Sequence, residues 1–153
     1  MIQILLTSDP VQIKAILSTD NMFGDIKEDP NLKEPIINET MLYCPIVETA
    51  DDIWAKPDLV GLMLGQWLGN NLITWHGVLR PKYRGLNSAK YGQANQEFIR
   101  ETFPGVKHIS LVPAYNKPAI GYTLKLGFKQ KYVLKDACKH EGKLYDKILM
   151  EIE

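Results

Sequence analysis

The sequence has few cysteines, no excess charge of either sign and no long apolar segment. Its two cysteines, Cys44 and Cys138, lack metal-ligand spacing, and 18 basic residues balance 18 acidic ones. Two cysteines do not make a disulfide framework, and reduced thiols are typical of a cytosolic protein. A neutral chain also lacks the basic excess that nucleic-acid and membrane-surface binding usually require. We therefore expect no metal, no nucleic-acid partner and no membrane partner.

We also expect no targeting segment and no membrane span. The first ten residues, MIQILLTSDP, contain an apolar run too short for the core of a signal peptide, and they have no basic start. No apolar stretch approaches the roughly 18 residues that a membrane span requires. We expect a cytoplasmic protein. At 153 residues, with 45% hydrophobic and 24% charged residues, the chain 1–153 is predicted to be a single globular domain.

The periodicity of the apolar residues alternates between the strand and helix patterns, which predicts an α/β protein. Helices are expected after the N-caps Asp9 and Asn116, and from the loop at 84–89 to Arg100. The architecture expected is a mixed, mostly antiparallel central sheet with helices on both faces. The predicted strands cover 1–7, 40–47, 59–68, 72–79, 107–112, 128–134 and 144–152.

Some local features are predicted in more detail. Gln12 completes a capping box with Asp9 at the start of the first helix. The polar segment 18–39, which contains Pro30 and Pro35, is expected to be irregular with at most a short helix. In the last strand, Leu144, Ile148, Met150 and Ile152 share one face and are expected to point toward a core.

The most informative segment is 72–89, LITWHGVLRPKYRGLNSA, in which a strand pattern enters a small-residue loop that opens into a helix. The first N–H groups of a helix have no internal partner, and the helix dipole places partial positive charge there. Small residues let a phosphate approach the backbone, and Arg84 adds a cation with several donors. The segment therefore predicts a phosphate cradle. The alternative is an ordinary strand–turn–helix connection with a surface arginine.

A second segment, 112–128, reads VPAYNKPAIGYTLKLGF. Together the two segments resemble the GNAT superfamily of N-acetyltransferases, which take an acyl group from acyl-CoA. The first motif of that family, Arg/Gln-x-x-Gly-x-Gly/Ala, is occupied by Arg84, Asn87 and Ala89, with asparagine where the motif prefers glycine. Its second motif, Asn-x-x-Ala followed by Leu-Gly-Phe, is matched by Asn116, Ala119 and 126–128. The resemblance covers 72–153, and the order of segments is similar to that of small bacteriophage-encoded GNAT-type proteins.

The resemblance implies a GNAT-like domain with acetyl-CoA as cosubstrate and an amine as acceptor. The loop would bind the pyrophosphate through its backbone amides. Backbone groups of the strand before it would pair with the pantetheine arm as an added strand would. The residues expected to bind the cofactor are Gly77, Val78, Leu79, Arg84, Gly85, Leu86, Asn87, Ser88, Ala89, Asn116 and Thr123.

Acyl transfer also needs a group that removes a proton from the acceptor amine. A lysine-type amine is mostly protonated at neutral pH, and histidine is the side chain best suited to accept its proton. His76 lies just before the expected pantetheine contacts and is the predicted base. His108 and His140 lie farther from the loop in the sequence and are poorer candidates. Weaker alternatives from the acceptor side are Glu39 and Glu48.

The general acid that would protonate the departing thiolate is less clearly marked. Many GNAT enzymes have a tyrosine seven residues after the motif asparagine, and here that position is Thr123. Tyr122 is the catalytic candidate, with Tyr115, or no dedicated acid, as alternatives. Aromatic residues and a methionine on the strands either wall an acceptor pocket or belong to the core. These residues are Trp54, Trp67, Trp75, Tyr43 and Met63.

Two functions follow from these residues. The first is an N-acetyltransferase that moves an acetyl group from acetyl-CoA to a primary amine by direct attack. The second is a catalytically silent GNAT-fold protein with a binding role or a structural role in phage assembly, which Asn87 and Thr123 favour. A homodimer is compatible with either one.

Overall fold

In a computed structural model of the chain, which describes residues 1–27, 31–52 and 54–152, seven strands form one mixed sheet. The spatial order is β1-β2-β3-β4-β5-β7-β6, and only the β4–β5 pair is parallel. The predicted mixed, mostly antiparallel sheet is therefore confirmed. The strands are β1 (Ile2–Ile4), β2 (Met41–Glu48), β3 (Asp58–Trp67), β4 (Leu72–Leu79), β5 (Lys107–Pro113), β6 (Lys129–His140) and β7 (Lys143–Ile152).

Helices cover both faces of the sheet, as predicted. The helices are α1 (Pro10–Ser18), α2 (Met22–Ile26), α3 (Ala89–Thr102) and α4 (Lys117–Lys125). On one face α1 and α2 bury a cluster that includes Ile13, Met22 and Leu62. On the other face α3 covers a cluster around Ile73 and Trp75, and α4 covers a third cluster beside it. Apolar burial of this kind is the main stabilising contribution to the fold.

The start of α1 differs in part from the prediction. Asp9 is the N-cap and accepts a hydrogen bond from the Val11 N–H at 2.9 Å. The second half of the capping box is wrong, because the Asp9 N–H donates to Thr7 Oγ1 at 3.3 Å. The Thr7 hydroxyl in turn donates to the Gln12 side chain at 2.8 Å. The threonine hydroxyl thus replaces the glutamine as partner of the cap residue.

The segment between α1 and β2 contains the expected short helix, α2. Asp20 and Asn21 precede α2 with φ angles of 49° and 55°, a left-handed conformation that asparagine and aspartate tolerate better than most residues. Pro30 lies outside the described residues. Within the part of the chain that the structure describes, no helix is both long enough and apolar enough to cross a membrane.

The last strand reaches the core with only part of its predicted apolar face. Met150 and Ile152 are buried against α4, with Ile148 packed beside them. Leu144 is 60% exposed, so its predicted core position is wrong. The reason is length, because the β6–β7 hairpin continues past the last residue of β5 that pairs with it, Pro113. Beyond that point no third strand of the described residues pairs with the hairpin.

The feature of the sheet that positions the site is the divergence of β4 from β5. These parallel strands pair only from Leu72–Thr74 to Lys107–Ile109. Farther along, β4 stays paired with β3 as far as Leu79, and β5 stays paired with β7 as far as Pro113. The sheet therefore opens in its middle while each half remains hydrogen-bonded to its outer neighbour.

Candidate functional site

A crevice of about 1540 Å³ occupies the opening between β4 and β5. Its walls are the ends of these two strands, namely 75–79 and 110–113. The loop before α3, the buried side of α3, and α4 close one side. The end of α2 and the tip of the β6–β7 hairpin (137–142) also contribute residues. The crevice therefore passes beside the predicted phosphate loop and the predicted pantetheine strand.

The edge of β4 that faces the crevice consists of backbone. Successive residues of a strand direct their N–H and C=O groups to opposite neighbours, and past Thr74 the β5 side offers no strand pairing. One hydrogen bond still joins the two strands where they begin to diverge: Ser110 Oγ donates to the Trp75 carbonyl at 3.2 Å. Gly77 is exposed, and a Cβ built on it would have only the Leu62 carbonyl oxygen nearby, at 3.9 Å. No packing contact therefore requires glycine at this position. The missing side chain leaves that volume of the crevice open.

The predicted phosphate loop leads directly into α3. Gly85 adopts a φ of 104°, which side chains disfavour, and it accepts hydrogen bonds from the Ser88 N–H at 3.1 Å and Ser88 Oγ at 2.6 Å. Ser88 is the N-cap of α3 but makes no side-chain cap hydrogen bond. The caps of α1 and α4, Asp9 and Asn116, both do. Helix α3 therefore begins without a capping side chain, as does the short helix α2, whose N-cap Asn21 makes no such bond either.

Cations surround this loop, and each has an acidic partner within the protein. Arg84 Nε donates to the Leu79 carbonyl at 2.8 Å, and its Nη2 pairs with Asp25 at 3.1 Å. Arg84 therefore joins the end of β4 to α2 while it lines the crevice. Lys90 pairs with Glu48 at 2.7 Å. A phosphate at the loop would compete with these carboxylates for the two cations.

His76, the predicted base, lies on β4 opposite Leu64 of β3 and lines the crevice. It is half-buried. Because side chains alternate along a strand, His76 shares the α1–α2 face with Val78, whereas Gly77 faces α3. The His76 side chain therefore projects to the α1–α2 face, whereas the predicted pantetheine contacts of Gly77 to Leu79 are backbone groups at the edge of β4.

The alternative bases lie elsewhere. His108 is buried, and its Nδ1 accepts a hydrogen bond from the Trp75 indole N–H at 3.0 Å. This burial lowers the pKa of His108. Hydrogen bonds from Lys90 and Tyr91 lower the pKa of Glu48. Neither residue lines the crevice, and Glu39 does not line it either.

The third histidine, His140, stacks on Tyr115 at the tip of the hairpin, with ring centroids 4.2 Å apart. Tyr115 lines the crevice and is 39% exposed. Tyr145 packs edge-on against Tyr115 at 4.9 Å. This aromatic cluster fixes the hairpin to the residue that precedes Asn116, so the hairpin tip forms part of the crevice mouth.

Two predicted residues on α4 have their polar groups turned inward. The Tyr122 hydroxyl is buried without a hydrogen-bond partner among the described residues, and burial raises the pKa of Tyr122 to about 12. The Thr123 hydroxyl donates to the Ala119 carbonyl at 2.8 Å, one turn back in the same helix. Asn116 caps the helix as predicted, because its Oδ1 accepts from the Ala119 N–H at 3.2 Å. All three residues line the crevice.

The aromatic residues proposed for an acceptor pocket divide between core and surface. Tyr43, Met63 and Trp75 are buried, Trp67 packs against the cluster that contains Met63 and Trp75, and Trp54 is 87% exposed on the β2–β3 connection. Met63 and Trp75 also line the crevice. The core interpretation therefore describes four of the five residues.

Asn95 is a crevice residue that the sequence analysis missed. It is 5% exposed on the buried face of α3, beside Gly92 and Ile99. The available signal was a polar residue at helical spacing between Tyr91 and Ile99, two residues of the apolar face. Among residues 1–27, 31–52 and 54–152, no group of acidic, histidine or cysteine side chains has an arrangement suited to a metal ion.

No protein-family model and no curated protein sequence matches this chain. Solved structures do match. Spermidine N-acetyltransferase from Vibrio cholerae, in complex with CoA and spermine, aligns with a TM-score of 0.74 and 13% identity over 99% of this chain and 94% of its own. Arabidopsis thaliana NAA60, in complex with acetyl-CoA, aligns with a TM-score of 0.68 and 15% identity over 99% and 97%.

A GNAT-family acetyltransferase from Bacillus anthracis aligns with a TM-score of 0.58 and 19% identity over 72% of this chain and 64% of its own. Identities this low establish a common fold and nothing finer. The chain therefore has the fold of the GNAT acetyltransferases. The fold expected from the two sequence motifs is confirmed.

Proposed function

We propose that this protein is an N-acetyltransferase that transfers an acetyl group from acetyl-CoA to a primary amine by direct attack. The observation that carries the proposal is the divergence of β4 from β5 beyond Thr74, beside an uncapped helix start. An extended ligand with amide groups can pair with a free strand edge, and an anion suits a helix N-terminus. Acyl-CoA contains both parts in one molecule. The solved structures with this fold include complexes with CoA and acetyl-CoA.

In this proposal the diphosphate binds the backbone amides between Gly85 and Lys90. Two properties of the loop favour diphosphate binding there: the positive φ of Gly85 and the absence of a side-chain cap on α3. Asn87 stands where the family motif prefers glycine, and its side chain is one further donor near the phosphates. The pantetheine arm then extends along 77–79, where the crevice is bare of side chains at Gly77.

The chemical step joins the acceptor nitrogen to the acetyl carbonyl carbon. The neutral amine attacks that carbon, the carbon–sulfur bond breaks, and CoA leaves as the thiolate. The amine proton passes to His76, directly or through one water. The imidazole is the basic group on β4, the strand beside which the thioester lies in this proposal. In this scheme the acceptor approaches from the α1–α2 face of the sheet, because the His76 side chain lies on that face.

The thiolate departs without a dedicated acid in this scheme. Burial raises the pKa of Tyr122 to about 12, above that of an ordinary thiol, so transfer of its proton to the thiolate is unfavourable. Tyr122 is better suited to hold the cofactor than to protonate it.

A second candidate is a binding protein that retains the crevice without turnover. Asn87 in the loop and Thr123 on α4 favour it, because both depart from the pattern of active family members. The small bacteriophage-encoded proteins with a similar order of segments would be binding proteins of this type. The acceptor, a dimeric assembly and a cytoplasmic location remain predictions.

One pair of measurements separates the candidates. Acetyl-CoA should raise the melting temperature, and thiol release should follow when an amine from a panel is added. The panel should include spermine and a peptide with a free N-terminus. Stabilisation without turnover on any amine would favour the binding protein. The absence of stabilisation by acetyl-CoA would exclude the cofactor, and with it both candidates.

A further inference from the structure

An ion pair joins the predicted phosphate loop to the helices on the other face of the sheet. Arg84 lies in the loop, and its Nη2 pairs with a carboxylate oxygen of Asp25 at 3.1 Å. Asp25 lies in α2, which packs with α1 over the face to which His76 projects. Both side chains of the pair are about half exposed, and both residues line the crevice. The pair therefore connects the side proposed for the cofactor with the side proposed for the acceptor.

Carboxylates are scarce in the walls of the crevice. Among the described residues that line it, only Asp25 and Glu141 have carboxylate side chains, whereas five have lysine or arginine side chains. Glu141 lies at the tip of the β6–β7 hairpin, and its side chain is 85% exposed. Asp25 is adjacent in the chain to Ile26, which is buried under α2 and also lines the crevice. Asp25 is therefore the carboxylate placed for an amine that approaches from the α1–α2 face.

The two ligands of the proposed reaction make opposite demands on the ion pair. A primary amine has a pKa of about 10 and arrives as an ammonium ion, which a carboxylate attracts. In the structure, however, Arg84 neutralises the charge of Asp25. Arg84 Nε donates to the Leu79 carbonyl, so the Nη edge, to which Asp25 binds, is the part left for a diphosphate.

The diphosphate is the stronger competitor for Arg84. An exposed ion pair contributes little to stability, so separating Asp25 from Arg84 costs little. A diphosphate has more than one negative charge, and it also accepts hydrogen bonds from the first amides of α3. A diphosphate at the loop therefore displaces Asp25 from Arg84 and leaves this carboxylate to an incoming cation.

We infer that Asp25 binds the ammonium group of the acceptor, and that the cofactor makes Asp25 available by taking Arg84 from it. This inference rests on the proposed function, because it takes acyl-CoA and an amine as the ligands. Asp25 holds the ammonium ion and takes no part in the chemical step, in which the amine proton passes to His76. Acetyl-CoA and the amine strengthen each other's binding by the same factor, because coupling between two sites is reciprocal.

The first arm of the test measures coenzyme A binding to the full chain by isothermal titration calorimetry. Asp25→Asn removes the competitor for Arg84 and should tighten coenzyme A binding about two- to fivefold, the range expected for an exposed ion pair. In an Arg84→Gln background the same change should have no effect, because the competition needs Arg84. Asp20→Asn is the matched control and should leave coenzyme A binding unchanged. Asp20 pairs with Arg80 at 2.7 Å, and neither of these two residues lines the crevice.

The second arm measures steady-state kinetics with the amine of the panel that is acetylated fastest. Asp25→Asn should raise the KM for that amine about tenfold, the loss of one hydrogen bond to a charged group, while kcat stays within about twofold. Asp20→Asn should change neither constant. A merely structural disturbance of α2 would not tighten the binding of one ligand while it weakens that of the other.

Several outcomes would overturn the inference while the proposed function stands. One is coenzyme A binding that Asp25→Asn leaves unchanged, or tightens equally in the Arg84→Gln background. Another is an amine KM that Asp25→Asn does not change, or that rises in Glu141→Gln instead. A wild-type protein that acetylates no amine of the panel would refute the proposed function, and this inference with it.

Discussion

Replacing Gly77 with valine tests whether the crevice exists to hold an extended ligand. The nearest atom to a Cβ at this position is the Leu62 carbonyl oxygen at 3.9 Å, which is ordinary contact, so the folded protein can accept the new side chain. Exchanging a strand glycine for a β-branched residue stabilises a protein by up to about 1 kcal/mol. The melting temperature should therefore stay unchanged or rise by a few degrees.

Ligand binding should respond in the opposite direction. The valine side chain projects into the open side of the crevice and separates the β4 backbone from the pantetheine arm. Losing about two backbone hydrogen bonds, each contributing about 1 kcal/mol, weakens coenzyme A binding roughly 30-fold. Isothermal titration calorimetry measures that loss, and thermal unfolding measures the stability. Thr74→Val, on the same strand but in the part paired with β5, is the control and should affect neither measurement.

The reasoning about Gly77 would be refuted in two ways. A Gly77→Val protein that binds coenzyme A as tightly as the wild type would place the ligand outside this crevice. A variant that melts well below the wild type would show that Gly77 is required for packing. In that case the loss of binding would carry no information about the ligand.

The remaining predictions concern a base, a helix contact and a buried histidine. His76→Gln should lower the rate of acetyl transfer about 100-fold with little change in coenzyme A affinity, and an unchanged rate would exclude His76 as the base. Gly92→Ala should destabilise the protein by about 1–3 kcal/mol, since its Cβ would overlap Leu126, and denaturant unfolding measures this. His108 accepts a hydrogen bond from Trp75 in its neutral form, and burial lowers its pKa. Because unfolding restores a pKa of about 6.5, stability should fall as pH drops below that value. His108→Gln should flatten this dependence between pH 7 and pH 5, and an unaltered slope would contradict it.

Local sequence patterns predicted the elements that depend on nearby residues. The strand at Leu72–Leu79 has its predicted ends, and Asp9 and Asn116 cap the helices as expected. A cap is a contact within three residues, so the sequence contains all of it. The Thr7 contact with Gln12 was missed because two side chains competed for one backbone donor, and the outcome depends on the path of the chain before the helix.

Features that depend on distant segments could not be predicted in the same way. The exposure of Leu144 follows from where β5 ends, which periodicity within β7 does not reveal. The pairing of Arg84 with Asp25 joins residues 59 positions apart. Asn95 lines the crevice from the buried face of α3, and which part of that face meets the crevice depends on the distant strands β4 and β5.

A crystal structure of the protein with coenzyme A tests the central claim most directly. It should show the pantetheine arm between β4 and β5, with its amides bonded to the backbone of 77–79. The diphosphate should contact the first amides of α3. Coenzyme A bound elsewhere would contradict the account. So would a structure without the ligand in which β4 and β5 are hydrogen-bonded to each other past Thr74.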